Sequence, residues 1–133
     1  MLLDKRANVI ENLDSIISLY LRLIILKEHE LEATIEGEYS SLYEVTECER
    51  KLVDDITGLL KYIVPDLVYM REDSAVKSRI LAIDEMQESV LKETLKIRQL
   101  LEKEIEGKKK ILNNIRIFPQ NHTSQPGIIS IRA

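Results

Sequence analysis

Leu3, Ile10, Ile17, Ile24 and Leu31 recur every seven residues, with Leu13 and Tyr20 at the intermediate position of the same repeat. Side chains seven apart share one face of an α-helix but fall on opposite faces of a strand, so this spacing assigns the first quarter of the chain to helix. A second row, Val9, Ile16 and Leu23, lies beside the first, and Leu21 and Ile35 widen the stripe on its other flank. That is broader than the seam of a two-stranded coiled coil and predicts a helix touching two neighbours. The pattern implies a helix over 4–36, ended at Gly37, the residue type that most easily takes the left-handed conformation of a helix C-terminus.

A second helix is predicted over 40–64. Ser41-Leu42-Tyr43-Glu44 has the form of a capping box, and Leu42, Val45, Leu52, Ile56, Leu59 and Ile63 then keep 3/4 spacing with Glu49 as the polar interruption. Pro65, which lacks an N–H and disfavours helix at the residue before it, is expected to end the element. Leu67, Val68, Tyr69 and Met70 in the connector are expected to fold over the end of the bundle. A third helix is predicted over 74–117, opened by Asp73 or Ser74 as N-cap. Val76, Ile83, Val90, Ile97 and Ile111 share one row, and Ile80, Leu101 and Ile115 the next, with Leu91, Ile105 and Leu112 on a flank. Pro119 closes it, and the polar stretch to Ala133, ending in Ile128-Ile129-Ser130-Ile131, reads as a flexible tail.

The expected architecture is therefore all-α: an elongated, antiparallel three-helix coiled-coil bundle over residues 1–118, with a disordered tail over 119–133. Composition agrees, with 44% hydrophobic, 32% charged and only 5% aromatic residues. At a rise of ~1.5 Å per residue the three helices measure about 48, 36 and 65 Å. A third helix running back alongside the first would outreach it by about 15 Å, carrying Ile111, Leu112, Ile115, Ile117 and Phe118 beyond their partners. Such a stripe is either fraying helix or a binding surface.

Charge and chemistry narrow the function. The net charge of −4 disfavours a general nucleic-acid binder, which needs a basic surplus against phosphates. Ten acidic and two basic residues lie between Glu28 and Asp55, against seven basic and three acidic between Lys96 and Arg116. Such a division either solvates adjacent helices or steers a partner. The lone Cys48, flanked by Glu47 and Glu49, reads as an inert, partly buried thiol. His29 and His122 lack the spacing of metal ligands, isolated glycines build no phosphate loop, and no nucleophile–base arrangement is visible. No enzyme activity, no cofactor and no metal are expected. The charged N-terminus is unlike a signal peptide, and the Ile16–Leu26 run is too short to span a membrane; a cytoplasmic protein is expected.

With these features in place, the chain resembles the FlgN-type flagellar export chaperones over nearly its whole length. The run from Leu26 to Tyr39, with Gly37 followed by Glu38, is similar to the break that ends the family's long first helix. Leu42 to Leu52 resembles the family's charged second helix, and Ile111-Leu112-Asn113-Asn114-Ile115-Arg116-Ile117-Phe118 its final helix end before a polar tail. The chain departs from the family where Gly107 and three lysines precede that end. The resemblance implies a cytoplasmic, ATP-independent chaperone that binds the C-terminal helices of the hook–filament junction proteins. It further implies that the chaperone blocks their premature assembly and delivers them to the flagellar type III export apparatus. On this reading the client's amphipathic helix lies against Ile97, Leu101, Ile105, Ile111, Leu112 and Ile115, with Phe118 as a docking aromatic. The Ile-rich end of the tail shields or clamps that face.

Two alternatives compete with it. A homodimeric coiled-coil scaffold would bury the same stripe on a second copy. A basic-ended adaptor for nucleic acid or an anionic membrane would instead depend on Lys108, Lys109, Lys110 and Arg116.

Overall fold

The computed structural model describes residues 2–117, with side chains from 4 to 115. Three helices account for nearly all of it: α1 (Leu2–Glu36), α2 (Leu42–Leu67), continued by a 3-10 turn (Val68–Met70), and α3 (Ser74–Ile117). No strand occurs among the described residues. The all-α helical bundle expected from the heptad rows is what forms. The tail over 119–133 and Phe118 lie outside the described residues. The chain divides into two compact units, Met1–Ile97 and Arg98–Ala133, with the division inside α3.

The first unit has one core. Val9, Leu13, Ile16, Tyr20 and Leu23 of α1, Ile56 and Ile63 of α2, Met70, and Val76 and Ile83 of α3 form a contiguous buried cluster. Ile10 and Ile17 pack against it only partly buried. The deepest row of α1 is therefore the Val9–Leu23 row; the seven-residue repeat through Ile10, Ile17 and Ile24 forms its shoulder. Cross-helix polar contacts fix the register of α1 and α3. Arg6 Nε donates to Asp73 at 2.5 Å and Arg79 Nε to Asp14 at 2.7 Å. Farther along, buried Tyr20 is held neutral above its usual titration range, first by burial and then by the Asp84 carboxylate. These pairs advance together along both helices, so α1 and α3 run parallel, as an up-down-up bundle requires. The short connection over 37–41 makes α2 antiparallel to α1.

The helix ends show which local signals held. Gly37 takes φ +75°, with its N–H on the Thr34 carbonyl at 3.3 Å and the Glu38 N–H on the Ala33 carbonyl at 2.8 Å. This is a Schellman stop to α1. Asp73 caps α3, its carboxylate accepting the N–H groups of Ala75 (3.0 Å) and Val76 (3.2 Å). The Arg6 guanidinium and these amides hold the Asp73 carboxyl below the usual carboxylate range. The capping box of α2 does not form. Ser41 sits at φ −96°, ψ −4°, outside the extended geometry of a capping serine, and makes no side-chain cap bond.

Pro65 does not end α2, which continues to Leu67 and then through the 3-10 turn. Proline removes one N–H, and the carbonyl it deprives belongs to solvent-exposed Lys61, where water can replace it. Continuing the helix places Leu67 against the core and buries Met70. Only part of the expected lid forms, since Val68 and Tyr69 face solvent.

Candidate functional site

In the second unit α3 alone supplies the described residues, and most of its apolar side chains face solvent. Ile105, Ile111, Leu112 and Ile115 are 53%, 60%, 42% and 58% exposed, and Leu101 is half-buried. At ~100° per residue, Leu101, Ile105, Leu112 and Ile115 fall within about 80° of one another around the helix, with Ile111 on the flank beside Ile115. Four of the seven expected contact residues are thus exposed, on one broad face, and Leu101 sits at its edge. Ile97 does not belong with them: at 5% exposure it is a core residue of the first unit. Its row is the same as that of Ile111, and spacing alone does not tell a covered position from an open one. Phe118 lies outside the described residues.

The same stretch of α3 is rich in charge around the helix, with Arg98, Lys103, Lys108, Lys109, Lys110 and Arg116 in sequence beside Glu102, Glu104 and Glu106. Cys48 is exposed, against the partly buried position expected, and His29 is on the surface of α1. Among the described residues no cluster of three or more His, Cys, Asp or Glu side chains can hold a metal ion. No helix among them is long and apolar enough to cross a membrane.

A second constellation was not anticipated from sequence. Lys27 and Glu30 of α1 meet Glu49 of α2 inside the first unit. Lys27 Nζ stands 3.2 Å from Glu49 Oε1 and 3.6 Å from Glu30 Oε1. The two glutamates are only 8% and 6% exposed. Thr34, one turn past Glu30, is also buried and donates its hydroxyl to the Glu30 carbonyl at 2.7 Å. The remaining oxygen of each carboxyl, Glu30 Oε2 and Glu49 Oε2, is sealed from solvent and has no hydrogen-bond partner. Burial, then the neighbouring Glu30, push Glu49 up to about 7, while Lys27 pulls the other way. The signal was present in the spacing: the buried row Val9, Leu13, Ile16, Tyr20, Leu23 continues by the same 3/4 steps to Lys27, Glu30 and Thr34. Glu49 occupies the matching row of α2.

These features define a class, an all-helical bundle with an exposed apolar face on its last helix. No protein-family model matches the chain, and no curated protein or solved structure matches it either.

Proposed function

We propose that this chain is a non-enzymatic export chaperone of the FlgN type, acting in the cytoplasm. Its clients are the hook–filament junction proteins, whose C-terminal helices it covers until they are delivered to the flagellar type III export apparatus. The observation that carries the reading is the exposure of Ile105, Ile111, Leu112 and Ile115 on one helix of the second unit. An isolated exposed isoleucine needs no explanation, but four large aliphatic side chains on one helical face form a patch suited to an amphipathic partner helix. The flanking charges would set the partner's orientation more than its affinity.

The test uses the full chain and a peptide spanning the C-terminal helix of a junction protein. Calorimetry should detect binding to the wild type and at least a tenfold loss for Ile111→Asp and Ile115→Asp. Circular dichroism and the melting temperature should stay nearly constant, because substitutions at exposed positions usually change stability by less than about 0.5 kcal/mol. Unchanged binding overturns the proposal, as does a collapse of the melting temperature, which would make these residues ordinary core. A second copy of the chain is the rival occupant of the face. Light scattering that finds a stable dimer, dissociated by the same substitutions and indifferent to the peptide, would establish the scaffold reading instead.

A further inference from the structure

The Lys27–Glu30–Glu49 cluster joins α1 to α2 near the turn over 37–41, and it is unbalanced in two ways. It sets two carboxyl groups against one ammonium, and it leaves one oxygen on each carboxyl buried without a donor. With both glutamates ionised, a net negative charge is sealed away from water, a costly arrangement at this depth. A single proton removes both faults. It brings the cluster to neutrality and turns one carboxyl into an O–H donor, while both stay beside the Lys27 ammonium at 3.6 and 3.2 Å. Lys27 then serves the remaining carboxylate.

We infer that Glu49 holds a proton inside this cluster, and that this proton operates a latch between α1 and α2 that is fastened in mildly acidic solution and loosened in mildly alkaline solution. The charged groups facing Glu49 are Lys27 and Glu30, both from α1. On α2 itself, Arg50 is turned to Glu47 and Asp54. On α3, Lys96 pairs with Glu93. Neither Arg50 nor Lys96 offers Glu49 a second cation.

The direction of the pH effect follows from the upward displacement of Glu49 from 4.5 to about 7. Below pH 4.5 folded and unfolded chains both hold the proton. Between 4.5 and about 7 the unfolded chain releases it while the folded one keeps it, so raising the pH favours opening. One proton of difference multiplies the unfolding constant by at most about tenfold per pH unit. Above about 7 both states have lost the proton, and this contribution stays flat.

Glu49→Gln is the deciding variant, because its amide supplies a donor at every pH and bears no charge. Urea unfolding from pH 5 to 8 should show the wild type weakening and the variant nearly level by comparison. Amide exchange, corrected for its intrinsic pH dependence, should show residues 27–34 and 45–52 opening several-fold, up to about tenfold, more often at pH 8 than at pH 6 in the wild type only. Parallel pH profiles for the two proteins overturn the latch. Carbon-13 titration of the glutamate carboxyls in the wild type decides the matter even if the variant folds poorly. The Glu49 carboxyl resonance is expected to titrate near neutrality, and its ordinary acidic titration sinks the inference.

Discussion

The two halves of the buried row of α1 have the same spacing and opposite chemistry. From Val9 to Leu23 the row is aliphatic or aromatic and locks against Ile56, Ile63, Val76 and Ile83. From Lys27 to Thr34 it is polar, and it meets Glu49 instead of a leucine. Apolar packing tolerates no choice of protonation state and holds at any pH, whereas the polar layer is satisfied only in particular charge states. One helix thus carries a permanent fastening and a conditional one, separated by a single turn.

The permanent half is where the largest effect lies. Leu13 is almost fully buried in the cluster. Leu13→Ala should destabilise the protein by about 3 kcal/mol, the lost transfer energy plus the cavity left behind. Urea denaturation should show this loss to be the same at pH 5 and pH 8. A loss that varied with pH would mean the two halves of α1 are energetically coupled rather than independent fastenings.

The conditional half responds differently. Lys27→Met removes the only cation and leaves two buried carboxyls facing each other. The expected loss is about 2 kcal/mol at pH 8, kept below that of a fully buried pair because Lys27 retains some access to water. At pH 5 the loss should be smaller, since a proton on Glu49 relieves the repulsion. Because Lys27 holds the Glu49 titration down, the variant's fall in stability should also move to higher pH. Equal losses at both pH values would show that the lysine contributes packing alone.

The same contrast explains how much was legible in the sequence. The three helices, the Gly37 stop and the Asp73 cap rest on spacing and local backbone chemistry, which a sequence states directly. Pro65 was misread because a local rule was applied where tertiary burial of Leu67 and Met70 outweighed it. Ile97 was misplaced because a heptad row records which side of a helix is apolar and not where its cover ends. The Lys27–Glu30–Glu49 layer was missed for the opposite reason: Glu49 was counted as an interruption, when the rows of α1 and α2 extended by their own periodicity bring three charged residues to one level. Pairing two interruptions requires knowing which helices face each other, and that knowledge is tertiary.

Two glycines offer the finest test of how far the local chemistry governs each region. Gly58 is in the interior of α2, and a methyl group added there would meet nothing within 4 Å. Gly58→Ala should raise stability by about 0.5–1 kcal/mol, by restricting the unfolded chain and removing a helix-weakening residue. Gly37 also has open space around it, yet it holds φ +75°. Gly37→Ala should cost about 1 kcal/mol, because an L side chain is strained in the left-handed region whatever room surrounds it. The two substitutions add the same atom in equally empty surroundings, so their opposite signs would isolate backbone conformation from packing. Should Gly37→Ala also stabilise, α1 must be able to stop without its left-handed turn. Residues 37–41 would then be a loose connection, and the alignment of Lys27 and Glu30 with Glu49 would have to come from the helix faces alone.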